Sequence, residues 1–303
     1  MFKEYPSILP TKERPIGSTS LLTHSISLEP DAKPVYIPSY KIPHAKRKPL
    51  EDEVKSMLDL NLIRPSDSPW SSPLLLVPKK DNTFRPVVDY RRINKLTVPT
   101  PFPIPNLRLL LQEIGSDNKV FSTLDLAKGF LQVPMDPDSI PYTAFSTHMG
   151  HFEFLVCPFG LRNSPLTFSR LMAIVLSGLI NDQVLVYLDD ILVCSPSIAD
   201  HERKLRQVFE RLSSAGLTIN PKKCQFFRNK LQFLGHTLTS DGIAPNEDKV
   251  LAVKNFPTPQ NQKELKSFLG LSGFYRPFIR DYGTIAAPLN MLLKQNCVWA
   301  WEE

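Results

Sequence analysis

The sequence predicts an α+β body followed by a separate helical lobe, on three observations. The middle of the chain alternates β-prone runs, amphipathic helices and hairpin signals without an internal repeat. From Pro245 onward the apolar periodicity is helical. Between them, Val184–Val193 is an apolar run interrupted by Asp189-Asp190. That pattern reads as a β-hairpin with two carboxylates at its tip.

In chain order, residues 1 to about 46 read as irregular, with prolines at 6, 10, 15, 30, 34, 38 and 43 and one short strand over His24–Leu28. A helix follows with Pro49 in its first turn, Glu51, Asp52 and Glu53 near its positive end, and Leu50, Val54, Met57 and Leu58 on one face. Leu74–Val77 and Arg85–Asp89 read as two strands joined by a turn over Lys79–Thr83. Ser164-Pro165 opens a helix as cap and first residue, burying Phe168, Leu171, Met172, Val175, Leu176 and Leu179. The next helix buries Leu205, Val208, Phe209 and Leu212 and ends at Gly216, with strands over 217–238. Asn261 and Glu264 are spaced as a capping box ahead of Leu265, Phe268 and Leu269.

With 303 residues, 42% of them apolar, the chain can bury a large core. Thirty-six Lys and Arg against 30 Asp and Glu leave a net charge of +6, which suits a polyanionic partner. Cys157, Cys194, Cys224 and Cys297 form no Cys-x-x-Cys pair, which reads as a reduced intracellular protein without a zinc ribbon. His148 and His151 read as surface strand residues rather than a metal site. No run approaches 18 uncharged apolar residues and no signal peptide opens the chain, so no membrane partner is expected.

The Asp-Asp tip carries the chemistry. Tight hairpins favour Asn-Gly or Asp-Gly, because both central residues take positive φ. Asp-Asp turns poorly and sets like charges side by side, a cost that makes sense if a divalent cation binds there. Two-metal phosphoryl transfer needs a further carboxylate. Asp125 is the best candidate: Val120–Asp125 is β-prone and runs into a glycine-containing turn, so antiparallel pairing with the hairpin would bring Asp125 beside Asp189.

These residues resemble the reverse transcriptase of gypsy-class long-terminal-repeat retrotransposons, from about residue 20 to the end. The resemblance rests on Ser68-Pro69-Trp70-Ser71-Ser72-Pro73, Arg85-Pro86-Val87-Val88-Asp89-Tyr90-Arg91-Arg92-Ile93-Asn94 and Leu124-Asp125-Leu126. It continues through Pro158-Phe159-Gly160-Leu161-Arg162-Asn163-Ser164-Pro165, Tyr187-Leu188-Asp189-Asp190 and Phe233-Leu234-Gly235-His236. It implies a right-hand polymerase with fingers, palm and helical thumb. The implied ranges are a proline-rich extension over 1–44, fingers and palm over 45–240, a thumb over 241–296, and over 297–303 the start of a connection to an RNase H domain that the chain does not contain.

By the same resemblance, Asp125, Asp189 and Asp190 hold two Mg²⁺ ions, with Mn²⁺ as an alternative and Asp190 the furthest from them. Arg85 and one of Lys79 or Lys80 clamp the triphosphate. Phe130 stands at the sugar gate, while Phe159 replaces the glutamine usual in retroviral relatives and with Gly160 lines the nucleotide pocket. Leu234, Gly235 and His236 contact the primer, and Lys263, Lys266, Arg276 and Arg280 follow the phosphates of the hybrid. The implied partners are an RNA template, a DNA or RNA primer, deoxynucleoside triphosphates, and the rest of a Pol polyprotein or a second chain. The implied location is cytoplasmic, in virus-like particles where the element is intact. Two other readings remain open: an inactive nucleic-acid-binding relic, and an RNA-directed RNA polymerase, against which Phe130 argues.

Overall fold

The computed structural model describes residues 1–78, 84–103, 106–114, 117–180, 183–294 and 299. Helix α1 (His44–Asp59) leads into β1 (Ile63–Pro65), β2 (Ser72–Pro78) and β3 (Phe84–Val88), then α2 (Arg91–Leu96) and α3 (Leu107–Gln112). Strand β4 (Val120–Asp125) is followed by two short 3₁₀ turns, β5 (Phe145–Thr147), β6 (Gly150–Phe154) and α4 (Ser164–Val175). Next come β7 (Val184–Tyr187), β8 (Asp190–Ser195) and α5 (Ile198–Ser214). Four strands, β9 (Gln225–Arg228), β10 (Lys230–Phe233), β11 (His236–Thr239) and β12 (Gly242–Pro245), precede the helices α6 (Glu247–Lys254), α7 (Gln262–Phe274) and α8 (Tyr282–Met291).

Among the described residues three sheets result, ordered β1-β6-β5-β2-β3, β7-β8-β4-β9 and β10-β11-β12; within the first, β2 and β5 pair in parallel. The β7-β8-β4-β9 sheet positions the carboxylates, and both of its faces are covered. Successive residues of a strand point to opposite faces. Accordingly Val184, Val186, Ile191 and Val193 enter the main core with α4 and α5, while Leu185, Leu192 and Cys194 enter a second core. That second core contains Leu110 and Leu111 of α3, Phe121 of β4, and Leu231, Phe233 and Leu238 of the β10-β11 pair. Burial on both faces explains why Val184–Val193 is almost continuously apolar rather than alternating.

Several expected boundaries shift. Helix α1 begins five residues before Pro49, after Pro43, so its first turn holds His44, Lys46 and Arg47 and no acid. Pro49 costs the helix one backbone bond near its start, where the loss is smallest. The cap of α4 is Asn163, with Ser164 and Pro165 as its first two residues. Gly216 lies one residue past the Ala215 cap of α5, at φ +70. There the Leu217 N–H reaches the Leu212 carbonyl at 2.9 Å and the Gly216 N–H reaches Ser213 at 3.0 Å, the Schellman closure. Between 217 and 224 no strand forms; the strands begin at Gln225. The Asn261 cap of α7 is as expected, accepting from the Glu264 N–H at 3.0 Å.

The proline-rich N-terminus is irregular, as expected, but it is part of the core. Ile8 is fully buried, and its carbonyl accepts from the Ile219 N–H at 2.9 Å. The Gly17 N–H donates to Thr218 Oγ1 at 2.9 Å. His24–Leu28 is not a strand; isolated bridges, His24 to Met135 and Leu28 to Thr97, tie it to the body, together with the buried Ile26, whose N–H donates to Ser139 Oγ at 2.9 Å. His148 Nε2 donates to the Glu51 carboxylate of α1, and His151 pairs with Ser146 within the β5-β6 hairpin. Among the described residues, no helix is long and apolar enough to cross a membrane.

Candidate active site

The hairpin β7–β8 turns one residue earlier than the sequence suggested. Tyr187 pairs with Asp190, so the tip is Leu188-Asp189 and Asp190 is the first residue of β8. Leu188 takes φ +54, a conformation that is uncommon for a side chain of its size. The strained turn swings Asp189 out of the ladder while Asp190 stays in it.

Strand β4 pairs antiparallel with β8, and Asp125 stands opposite Asp190 rather than Asp189. Directly opposed residues of an antiparallel pair project from the same face. Three acids therefore meet at one end of this sheet. Their electrostatics record the crowding: burial, then the charges of Asp189 and Asp125, push the Asp190 carboxyl up to about 6, with Lys223 opposing. Lys223 Nζ lies 3.1 Å from Asp125 Oδ2. The strand end of Asp125 is fixed by its carbonyl, which accepts from the Asn220 N–H at 2.8 Å.

Gly129 sets how closely these parts approach. A Cβ at Gly129 would sit 3.0 Å from Cζ of the fully buried Phe168 and 3.5 Å from the Asp189 Cβ. A side chain here would press on Phe168, so glycine lets the turn after β4 pass between α4 and the hairpin tip without displacing its neighbours. Phe130, next in the chain, packs against Phe168 at 5.1 Å and edge-on against Phe159 at 5.2 Å between ring centroids. Phe159 itself is exposed.

A cleft of about 330 Å³ opens over this arrangement, lined by Arg85, Asp125, Lys128, Phe159, Asp189 and Lys223 among others. Phe130, Gly160 and Asp190 are not among its lining residues. Gly160 takes φ +98, and a Cβ there would come within 3.4 Å of the Val88 carbonyl. Asn94 anchors the loop: its amide donates to the Gly160 carbonyl at 2.8 Å and accepts from the Arg162 N–H at 2.8 Å. Lys79 and Lys80 lie outside the described residues.

Leu234 and Gly235 form the two-residue tip of the β10–β11 hairpin, closed by the Phe233–His236 pair. Leu234 and Tyr187 both pack on the second core, which joins this hairpin to the carboxylate sheet. Sequence reasoning missed Lys223, Lys128 and Asn94. Asn94 lay inside a motif used only for the resemblance, and Lys223 carries no local signal beyond a turn at Asn220-Pro221.

Among the described residues, no three Asp, Glu, His or Cys side chains already form a metal cage. The donor set nonetheless fits hard divalent ions. Three crowded carboxylates share a single lysine, and an ion such as Mg²⁺ keeps several waters and takes substrate phosphate oxygens rather than needing a protein cage. Asp125 and Asp189 face the cleft, and Asp190 stands opposite Asp125.

Residues 77–238 match the family described as reverse transcriptase (RNA-dependent DNA polymerase). The retrovirus-related Pol polyprotein of transposon 297 from Drosophila melanogaster is 45% identical over 268 residues, which is 87% of this chain and 25% of that protein. The chain thus spans about a quarter of that relative. Among solved structures, the foamy viral protease–reverse transcriptase in complex with double-stranded DNA superposes with a TM-score of 0.90 at 26% identity, covering 99% of this chain and 53% of the other. The same enzyme with an RNA/DNA hybrid gives 0.85 at 27% identity, covering 99% and 40%.

Proposed function

The chain belongs to the reverse transcriptase family, with a transposon Pol polyprotein as a close relative, and its fold is the α+β right hand; on that premise we propose that it is an RNA-directed DNA polymerase. It would add deoxynucleotides to a primer on an RNA or DNA template. The observation that carries the proposal is the meeting of Asp125, Asp189 and Asp190 at one sheet end beside a cleft that also presents Arg85 and Lys223.

In this reading, fingers occupy residues near 45–120 and 139–160, the palm surrounds them, and the thumb runs from about 240. Asp125, Asp189 and Asp190 would hold two Mg²⁺ ions, Asp190 the furthest from them. Bound there, the ions would supply charge stabilisation on the attacking and leaving oxygens. Lys223, now 3.1 Å from Asp125 Oδ2, would have to give up that ion pair for Asp125 to act as a ligand. Arg85 takes β- or γ-phosphate oxygens as a fork, together with Lys79 or Lys80. Phe130, held by Phe168 and Phe159 just outside the cleft lining, would have to present its ring to the sugar to leave no room for a 2′-hydroxyl. Gly160 contributes backbone to the pocket, Phe159 contributes apolar surface where retroviral relatives use an amide, and Leu234, Gly235 and His236 hold the primer.

The partners proposed are the template–primer hybrid and deoxynucleoside triphosphates, within a Pol polyprotein and a cytoplasmic particle. Solved relatives bound to double-stranded DNA and to an RNA/DNA hybrid support a nucleic-acid partner. Extension of a DNA primer on an RNA template by deoxynucleotides but not ribonucleotides tests the proposal. Ribonucleotide use would favour an RNA polymerase. Hybrid binding without extension would favour an inactive relic.

A further inference from the structure

The β10–β11 turn is strained by its own sequence, and the helical region that follows holds it. Leu234 and Gly235 both take left-handed φ, +47 and +82. That mirror-image turn suits Asn-Gly or Gly-Gly, and a leucine in its first position carries a conformational cost. Such strain persists only where the surroundings over-determine it.

Here they do. The Gly235 carbonyl accepts from the Tyr275 hydroxyl at 2.9 Å and from the Asn246 N–H at 3.3 Å. Tyr275 is buried as a residue, and its hydroxyl bond to Gly235 is part-buried. The His236 ring packs among Phe274, Tyr275 and Phe278 at centroid distances of 5.3, 6.0 and 5.7 Å. Its Nδ1 faces the Leu234 carbonyl at 3.1 Å. All three aromatics sit where α7 ends, forty residues downstream of the turn they clasp. The turn and the end of α7 are therefore tied together: displacing the helix would break the Tyr275 bond and release a strained turn.

We propose that Tyr275 is a positioning residue, whose hydroxyl locks the Leu234-Gly235 turn to the helical lobe and so fixes where the primer terminus lies relative to Asp125 and Asp189. This rests on the polymerase reading and on the placement of the primer against that turn. Tyr275 touches neither substrate nor ion; it acts through Gly235.

The test is Tyr275→Phe, which keeps the ring packing and removes one donor. A companion variant, Phe278→Leu, loosens the cage from its other side and leaves the hydroxyl in place. Both are compared with the parent for hybrid affinity, single-turnover extension and the fluorescence of 2-aminopurine at the primer terminus, which brightens when the terminal base unstacks. Expected for Tyr275→Phe are hybrid affinity within about threefold of the parent, extension slower by about tenfold, and a brighter terminus. Phe278→Leu should show the same pattern, weaker. Parental extension and parental fluorescence in Tyr275→Phe would overturn the proposal, as would a rate loss that only follows lost hybrid affinity. If the parent binds hybrid without extending it, the polymerase reading fails and the terminal fluorescence decides the latch alone. If the parent binds no hybrid, both fall.

Discussion

Replacing Gly129 by alanine tests whether packing behind the carboxylates sets their position. Gly129 does not need a left-handed backbone, so the new methyl acts through space alone. It would stand 3.0 Å from Phe168 Cζ and 3.3 Å from Cε2, with Asp189 Cβ at 3.5 Å on its other side. Both Phe168 contacts are tighter than carbon atoms ordinarily make, so something must yield by a few tenths of an ångström. Phe168 is fully buried and braced by Phe130, so part of the displacement passes to the turn and to Asp189. Overpacking costs about 1–3 kcal/mol, and the loss of unfolded-state freedom on going from glycine to alanine returns about 0.4–1 kcal/mol. The folded protein should survive, with a melting temperature lower by a few degrees. Catalysis is less tolerant: a 1 Å misplacement can cost about a hundredfold, so about 0.3 Å passed on to Asp189 should cost about fourfold. The assay is single-turnover primer extension at saturating hybrid, alongside hybrid affinity and melting. A variant that folds, binds hybrid like the parent and extends within about twofold of it would refute the reasoning.

Two further outcomes follow from other parts of the molecule. The Asp190 carboxyl is raised to about 6, against about 3.9 in an unfolded chain, so the ion-free folded state prefers the protonated form. Stability is then fullest below the unfolded value and is lost as pH rises through about 6. Melts at pH 5 and 7.5 should show the parent losing more than Asp190→Asn across that window, and Mg²⁺ at pH 7.5 restoring the parent preferentially; equal pH slopes would contradict this. Ile8→Ala should cost about 2–4 kcal/mol, because the side chain is wholly buried where residues 8 and 219 join. A denaturant midpoint unchanged from the parent would show that the N-terminal strap is not part of the folded core.

What the sequence made legible was chiefly local. The buried faces of α4 and α5 follow from apolar spacing, and the hairpin around Asp189-Asp190 follows from two apolar runs with a polar break. Its tip was placed one residue late, because nothing nearby says that Leu188 will accept a positive φ. Asp125 was found from its strand-end context, but its partner across the ladder is set by the register of β4 on β8, which joins segments 65 residues apart. Lys223 and Asn94 were overlooked for the same reason: one reaches Asp125 and the other Gly160 only through the tertiary fold. The N-terminal segment looked like a loose extension because its prolines exclude regular ladders. Its anchoring comes instead from single buried residues such as Ile8 and from backbone bonds to 216–219.

The central claim is that Asp125, Asp189 and Asp190 form a working polymerase centre. The most direct test is extension of a DNA primer on an RNA template with deoxynucleotides and Mg²⁺ or Mn²⁺, comparing the parent with Asp189→Asn at matched hybrid occupancy. The account predicts extension by the parent and a loss of at least about a thousandfold in the variant, since an ion would lose a ligand beside the reacting atoms. Comparable extension by both proteins, or none by a parent that is folded and holds the hybrid, would contradict it.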